Sequence, residues 1–221
     1  MKIELVSAND KAYEVLLEQI CSGLRKSGDR LTIEKLAKEM GISSTPVRDA
    51  LKRLESEGIV TVVPRSGTFV SLPSLKDIKD LFQFRIVVEK FAISIAMPKL
   101  TDVHLKSMKR AVDRARNAQE DQVFVETDRE FHGTIIACAS NTYLTQTADR
   151  IDRQLRFIRA ICATDHSFDN SVLEDHTTIM DALSARDTDT AMSRMEDHIR
   201  FVMEETLRLW PNQDNGTSEG M

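Results

Sequence analysis

Three histidines and one aspartate in the second half of the chain have the residue types and the spacing of a metal site. Asp128 and His132 stand four residues apart, so a helix would place both on one face. His176 and His198 each lie within an apolar helical stripe, which turns them toward a core. A buried carboxylate without a partner is costly, and a divalent cation that also takes neutral imidazoles would compensate it. The pattern predicts that all four residues bind a metal, with positions left open for water or a small oxygen ligand.

For any one of these histidines, a hydrogen-bonded core residue is the ordinary alternative. Four such residues on three apolar stripes are hard to explain in that way, so metal binding is predicted for the group. The ligand types permit zinc, which is the first choice, and also nickel, manganese or iron. The other two histidines, His104 and His166, fall at positions expected to be exposed and receive no role.

Arg85 is the next candidate for chemistry, because its helical stripe is otherwise apolar and turns it inward. It could pair with Glu89, one helical turn later. Alternatively, it could bind the carboxylate of a small effector beside the metal, with Arg159 as a second candidate for the same task. A small organic acid, such as a sugar acid or hydroxy acid, is the expected effector, since its carboxylate and hydroxyl oxygens suit an open metal position.

Six helices are predicted to position these residues. Apolar residues recur at helical spacing from residue 74 onward, and Pro98, Asn141 and the segment 165–170 interrupt the pattern. The predicted helices span roughly 74–97, 101–117, 120–139, 141–164, 170–185 and 187–209. Together they predict an antiparallel all-α helical bundle over residues 73–210, followed by a flexible tail over 211–221.

Residues 1–72 have a different pattern, which predicts a winged helix-turn-helix. An amphipathic helix over 8–26 comes first. A second helix would stop at Gly41, a residue suited to the left-handed conformation, and a third would begin near Ser43 or Ser44, whose hydroxyl could cap it. Residues 59–63 and 68–70 favour two strands around a turn. The predicted fold class is mainly α, with a small α/β DNA-binding domain at 1–72 ahead of the bundle.

The exposed side of the third helix suits the major groove of DNA, where an α-helix fits and base edges present a distinct donor and acceptor pattern. Arg48 is the candidate for a guanine contact, because guanidinium matches O6 and N7. The other candidates lie at the helix start, on its basic face or at the wing, where phosphate contacts are expected; they are Lys35, Ser43, Ser44, Thr45, Lys52, Arg53, Arg65 and Gly67. A winged helix that binds another protein is the alternative, since a fold does not fix function.

The segment GISSTPVRDALKRLESEGIVTVVPRSGTFV closely resembles the DNA-binding signature of GntR-type bacterial transcription regulators. The resemblance runs without a gap over residues 41–70. It implies a homodimer on a near-palindromic operator in double-stranded DNA, with Lys35, Thr45, Arg48 and the wing at the DNA. Ser44 stands where the family commonly has an arginine that reaches the DNA, so the operator is expected to differ from the common one.

The segments TDREFH, EDHTTIMDAL and MEDHI are similar to the helical effector domain called FCD, which is found behind many GntR heads. This resemblance implies that an Asp-x-x-x-His pair and two later histidines hold a metal at the centre of the bundle, and all four positions are occupied here. It also implies an arginine in a segment like FRIVVE, which favours the effector role for Arg85.

Charge and cysteine content limit the remaining possibilities. Residues 1–72 hold 11 Lys and Arg against 10 Asp and Glu, and the rest of the chain holds 19 against 25. Attraction to DNA must therefore come from local placement of charge, since the net charge of −5 would repel it. Cys21, Cys138 and Cys162 are far apart and are expected to be reduced thiols. The sequence has no secretory signal and no membrane-spanning run, so a cytoplasmic protein without a membrane partner is expected.

The predicted function is that of a ligand-responsive bacterial transcription regulator, and more specifically a repressor released by its effector. Effector binding in the helical domain would change the spacing of two DNA-binding heads. One alternative is a metal-dependent enzyme that acts on small organic acids, since a metal with open positions can activate water. It is disfavoured because each nearby acid or base already serves as a predicted ligand. Another alternative is a purely structural metal with the effector bound elsewhere.

Overall fold

The computed structural model describes residues 7–117, 121–162 and 169–211. Nine α-helices, one short 3₁₀ turn and a three-stranded antiparallel sheet form within these residues, which confirms the predicted mainly α fold class. The chain divides into two compact units. The first is built from residues up to 74 with 153–162, and the second from 75–152 and 163–210. Most of the predicted tail, His166 and most of the predicted break at 165–170 lie outside the described residues, and the domain limits at 72 and 210 stay predictions.

The helices are numbered in chain order, with the bounds α1 (Ala8–Cys21), α2 (Ile33–Met40), α3 (Ser44–Ser56), α4 (Leu75–Ala96), α5 (Asp102–Arg116), α6 (Asp121–Ala139), α7 (Thr142–Ile161), α8 (Asp169–Ser184) and α9 (Thr188–Leu209). The strands are β1 (Arg30–Leu31), β2 (Val60–Val63) and β3 (Gly67–Val70). The six helices predicted for the bundle therefore agree with α4 to α9 to within three residues at each end.

In the first unit, helices pack against a small sheet whose strand order is β1-β3-β2. Val60 lies opposite Val70 and Val63 lies opposite Gly67 in the hairpin of β2 and β3. β1 pairs with the other edge of β3, where Arg30 lies opposite Phe69. The hairpin matches the β-branched runs in the sequence, whereas β1 has two residues and is too short to produce a recognisable pattern.

The ends of the first three helices have identifiable causes. α1 ends at Cys21, five residues before the predicted end, because the chain turns through Gly23 with a φ of 75°. α2 ends at Gly41, whose φ of 66° lies in the left-handed region as predicted. Ser43 is the N-cap residue of α3, but its hydroxyl makes no capping hydrogen bond, so the predicted side-chain cap is wrong.

The core of the first unit includes the last part of α7. Its buried residues come from α1, α2, α3 and the strands, and Leu16, Leu54 and Ile59 are among the fully buried ones. Phe157 of α7 is 3% exposed and belongs to the same cluster, and Ile161 packs against it. Full burial of a phenylalanine contributes about 1.5–3 kcal/mol, so the segment 153–162 is an integral part of this unit.

The second unit contains α4, α5, α6, α8 and α9 with the first part of α7. α4 packs against α6 and α9, while α8 packs against α9 and α5. Phe82, Met108 and Phe131 are among its fully buried side chains. Cys138 is buried, and Cys21 and Cys162 are half-buried. Among the described helices, none has the length and apolar character required to cross a bilayer.

Candidate DNA-reading surface and metal centre

The outward side of α3 carries most of the residues predicted to contact DNA. The inward side is apolar and consists of Val47, Ala50, Leu51 and Leu54. Thr45, Arg48 and Lys52 are exposed, Ser43 is exposed just ahead of the helix, and Ser44 is half-buried. Small polar and basic side chains therefore stand on the side of α3 that a major groove would accept.

Arg48, Lys52 and Arg65 are exposed basic residues that make no hydrogen bond or ion pair with the part of the chain that the structure describes. Lys35 is also exposed, and its Nζ lies 4.0 Å from Oε1 of Glu39. An exposed pair of this kind contributes little and opens easily. These four cations therefore have donors available for a phosphate or a base edge.

Arg53 differs from the other predicted DNA contacts, because the protein already holds its guanidinium. The Cζ atom of Arg53 lies 3.6 Å from the centroid of the Tyr13 ring. Nη1 lies 3.5 Å from Oδ1 of Asp10, and Nε lies 3.8 Å from Oε1 of Glu57. A phosphate contact by Arg53 would have to replace these interactions. The DNA contact of Arg53 therefore stays a prediction.

The wing is the β2–β3 hairpin, and its turn contains two residues in the left-handed region. Arg65 has a φ of 64°, and Gly67 has a φ of 129°. The amide of Ser66 donates to the carbonyl of Val63 at 3.0 Å, which closes the turn. A side chain at residue 67 would be strained at this φ, whereas glycine adopts it without cost. Arg65 is thus presented at the tip of a tight turn.

The C-terminal end of α3 is held by a cluster of four residues, Tyr13, Glu57, Arg153 and Gln154, which we call the Glu57 cluster. Glu57 is buried, and the hydroxyl of Tyr13 donates to its Oε2 at 2.7 Å. Arg153 donates from Nε to Oε2 at 3.0 Å and from Nη2 to Oε1 at 3.1 Å. Gln154 donates from Nε2 to the carbonyl oxygen of Glu57 at 2.9 Å. The helix that carries Arg48 is therefore anchored at its end by a charged pair with bidentate geometry.

The four predicted metal ligands come together in the second unit. α6 supplies Asp128 and His132, α8 supplies His176 and α9 supplies His198. One ligand atom from each of these residues lies within 4.8 Å of the others. Oδ1 of Asp128 lies 3.6 Å from Nε2 of His132 and 3.4 Å from Nε2 of His176. The three histidines are buried, and Asp128 is half-buried.

The donor set fits a divalent transition ion. The Nε2 atoms of His132 and His176 are buried and make no hydrogen bond within the described residues. Buried polar atoms without partners are uncommon and costly in folded proteins. Both atoms approach the same carboxylate oxygen of Asp128, so one cation could satisfy all three groups. This arrangement supports metal binding without identifying the metal.

An outer carboxylate orients one of the ligand histidines, His132. Oε2 of Glu89, on α4, lies 2.6 Å from Nδ1 of His132. With Glu89 ionised, the proton between them lies on Nδ1, which leaves the Nε2 lone pair of the neutral ring for a metal. Nδ1 of His198 lies 3.4 Å from Oδ2 of Asp175. That nitrogen makes no hydrogen bond within the described residues. Sequence reasoning missed the role of Glu89 toward His132, because Glu89 was considered only as a partner for Arg85.

Burial and neighbouring charges set the protonation of the site. Burial raises the pKa of Glu89, but His132 and Arg85 outweigh that effect and hold the pKa at about 2. Burial lowers the pKa of His132, yet Glu89 outweighs it and the pKa is raised overall. Burial and nearby His198 hold the pKa of His176 well below its ordinary value, and burial also lowers the pKa of His198. His176 and His198 are therefore neutral near pH 7, the form that binds a metal.

The two arginines predicted to bind the effector have different surroundings. Arg85 is buried and its Nε donates to Oε1 of Glu89 at 2.7 Å, so the pair considered as an alternative is present. Arg159 is exposed and belongs to the first unit, whereas the four ligands belong to the second. Arg85 and the four ligands therefore belong to one unit, and Arg159 belongs to the other.

A shallow depression that is too narrow to admit a water molecule lies beside the ligands in the second unit. Asp128 and His176 form its polar part. The rest of the lining comes from α5, α6 and α8 and consists of Ala111, Val112, Ala115, Phe124, Thr127 and Leu173. The depression therefore brings apolar side chains up to two of the predicted ligands.

Two family models match the chain. The model of the bacterial regulatory proteins of the gntR family matches residues 8–70, and the model of the FCD domain matches residues 80–201. The second match includes all four predicted ligands, and the first includes α3 and the wing. The two matches correspond in order to the two resemblances found in the sequence.

Curated relatives and solved structures agree with these matches. YdhC, an HTH-type transcriptional regulator of Bacillus subtilis, is 22% identical over 87% of this chain and 91% of its own. The transcriptional repressor GlaR of Escherichia coli is 27% identical over 85% of this chain and 90% of its own. The structure of E. coli McbR/YncC matches the fold with a TM-score of 0.77 at 22% identity, over 92% of this chain and 99% of that one. These relatives are transcriptional regulators and not enzymes, which confirms the preference for a regulator over a metal-dependent enzyme.

Proposed function

The chain belongs to the DNA-binding transcriptional regulators of the gntR family that carry an FCD domain, and from this premise we propose that it is a repressor controlled by a divalent metal ion and a small organic acid. The observation that carries the proposal is the convergence of Asp128, His132, His176 and His198, with ligand atoms within 4.8 Å of one another. A repressor of bacterial operons works on chromosomal DNA, so we infer a cytoplasmic location.

In this proposal the metal is held by Asp128 and the three histidines, with zinc as the first choice and nickel, manganese or iron as alternatives. When bound, the ion supplies a Lewis-acidic position for an oxygen atom of the effector. Glu89 keeps His132 in the required tautomer through its bond to Nδ1. The proposal gives the metal a regulatory task, and a purely structural metal remains the competing version.

Arg85 supports an anionic effector. It is a buried cation in the same unit as the ligands, and Glu89 and Asp128 are its charged neighbours. The hydrogen bonds of Arg85 within the described residues use Nε alone, so its terminal nitrogens could serve an effector carboxylate while Nε holds Glu89. Arg159 stays a predicted second contact for the effector, without comparable support from the described residues.

We also propose that two copies of the chain form a homodimer on a near-palindromic operator. α4 packs against α6 and α9. Elsewhere on α4, Phe84, Val87 and Phe91 form a stripe at helical spacing with exposed fractions of 51%, 63% and 53%. A two-fold contact would let this stripe bury itself against its own copy, as isologous interfaces do. Two heads related by that symmetry match the two halves of a palindrome.

The proposal is tested on three proteins, the wild type, His176→Ala and the control His104→Ala, which changes a half-buried histidine outside the ligand set. Each protein is freed of bound metal and reloaded with zinc. It is then screened by thermal shift against sugar acids and hydroxy acids. DNA binding is then measured on a duplex that the wild type enriches from a randomised library. We expect His176→Ala to lose both the metal and the acid-dependent release of DNA, while His104→Ala keeps both.

Three outcomes would contradict parts of the proposal. Unchanged metal content in His176→Ala would refute the ligand set. Acid-dependent release that survives metal removal, together with lower thermal stability, would favour a structural metal. Metal binding without any acid that changes DNA affinity would refute the regulatory task.

A further inference from the structure

Arg30, on β1, is a basic residue that packs against the wing and that the sequence motifs do not single out. Its position is fixed by strand pairing, since Arg30 lies opposite Phe69 in the β1–β3 ladder. The position that a β-carbon on Gly67 would occupy lies 3.0 Å from Nε and 3.4 Å from Nη2 of Arg30. The guanidinium therefore lies directly against Gly67, where any larger residue would push it away.

Arg30 is exposed and makes no hydrogen bond or ion pair with the described residues, although acidic side chains are common in this unit. Two other arginines of the first unit, Arg25 and Arg53, are engaged. Arg25 bonds to Gln19 and Glu39 at 2.7 Å each, and Arg53 pairs with Asp10. Arg30 is thus held by packing and by its backbone while all of its N–H donors stay available.

We propose that Arg30 binds a phosphate of the DNA backbone beside the wing, next to the contact expected for Arg65. This rests on the DNA binding of the first unit described under Proposed function. A guanidinium is weakly hydrated and presents a planar fork of donors that matches phosphate oxygens. Arg30 is exposed, so a phosphate can approach its guanidinium from solvent.

The proposed contact has a specific physical character. Arg30 belongs to the sheet and not to α3, so it strengthens binding to any sequence without selecting a base. Gly67 then has two tasks, since it permits the wing turn and leaves room for Arg30. Releasing one phosphate contact lowers the slope of log affinity against log salt concentration by about 0.9.

The test compares full-length wild type, Arg30→Met, Arg30→Lys and the control Arg25→Met on one duplex that the wild type enriches from a randomised library. Fluorescence anisotropy gives the affinity at several salt concentrations. We expect Arg30→Met to lower the salt slope by about 0.9 for each bound head. Arg30→Lys should keep most of the slope because it keeps the charge, and Arg25→Met should leave the slope unchanged.

Four outcomes overturn the inference. An unchanged slope and affinity in Arg30→Met would mean that Arg30 only packs the wing. An unchanged slope with altered preference for flanking A·T pairs would indicate minor-groove reading in place of a phosphate contact. An equal loss in Arg30→Met and Arg30→Lys would indicate damage to the wing and no role for the charge. Failure of the wild type to enrich any duplex would refute DNA binding itself, and this inference with it.

Discussion

Replacing Arg153 by methionine is expected to destabilise the first unit by about 2–3 kcal/mol. Glu57 is 6% exposed and receives two hydrogen bonds from Arg153 and one from Tyr13. Removing one partner of a fully buried pair costs about 3–5 kcal/mol. We expect less here because the Arg153 side chain is 22% exposed, and because Tyr13 and Arg53 still face the carboxylate. Methionine keeps an apolar stem of similar length, so the loss is assigned to the guanidinium.

Hydrogen exchange of peptides from α3, read by mass spectrometry, measures this change, because each cooperative unit exchanges with its own opening free energy. A loss of about 2–3 kcal/mol accelerates exchange about 30- to 150-fold. The single tryptophan, Trp210, belongs to the second unit, so its fluorescence monitors that unit independently. Metal content and protein concentration are kept equal, since both shift apparent stability.

Arg156→Met is the matched control for Arg153→Met. Arg156 lies three residues further along α7, and its Nη2 bonds to Oε2 of Glu18 at 2.9 Å. The Glu18 side chain is 67% exposed, so the loss should be about 0–1 kcal/mol. Equal acceleration in both variants would refute the argument from burial. The double variant Glu57→Gln with Arg153→Met should recover about 1 kcal/mol relative to the sum of the single changes, and strict additivity would also contradict the argument.

Three further predictions follow from the site. Arg48→Ala should cost about 1–3 kcal/mol of discrimination at one base pair, measured by competition between duplexes, and an unchanged base preference would exclude the guanine contact. Glu89 has a pKa of about 2, below its ordinary value of 4.5, so its stabilising contribution is complete above pH 4.5 and is lost as the pH falls toward 2. Urea midpoints of metal-free protein at pH 5 and pH 3 should therefore differ more for wild type than for Glu89→Gln, and an equal difference would remove Glu89 as the cause. Val87→Asp should convert the dimer to a monomer in sedimentation equilibrium with the helical content of wild type, and a persistent dimer would place the interface elsewhere.

The elements of the fold were largely predictable because their signals are local in the sequence. Helical periodicity and the breaks at Pro98 and Asn141 are sufficient to predict α4 to α9 closely. Gly41 ends α2 in the left-handed conformation. A glycine directly after a helical pattern predicts this ending, because glycine adopts that conformation without steric cost. The four ligands share stripes with apolar residues, and the same periodicity that predicts their helices predicts that they face inward.

The contacts that complete the two sites depend on residues that are far apart in the sequence. Tyr13 is 44 residues and Arg153 is 96 residues from Glu57. Glu89 is 43 residues from His132 in the sequence. Arg85 lies one helical turn before Glu89 and is its obvious local partner, so the sequence gives no reason to look for the distant partner His132. Arg53 was expected at a phosphate because charge on an exposed face is visible in the sequence, whereas the Tyr13 ring beneath it is not.

The packing of residues 153–162 with the first unit limits how the protein can be divided. A gene fragment that stops after residue 72 would encode a DNA-binding module without Phe157 to fill its interior and without Arg153 to neutralise Glu57. Such a truncated module should be prone to aggregation. Hybrid regulators that join this module to a different sensor would need to retain residues 153–162, or replace the apolar residues that Phe157 covers with side chains that tolerate solvent.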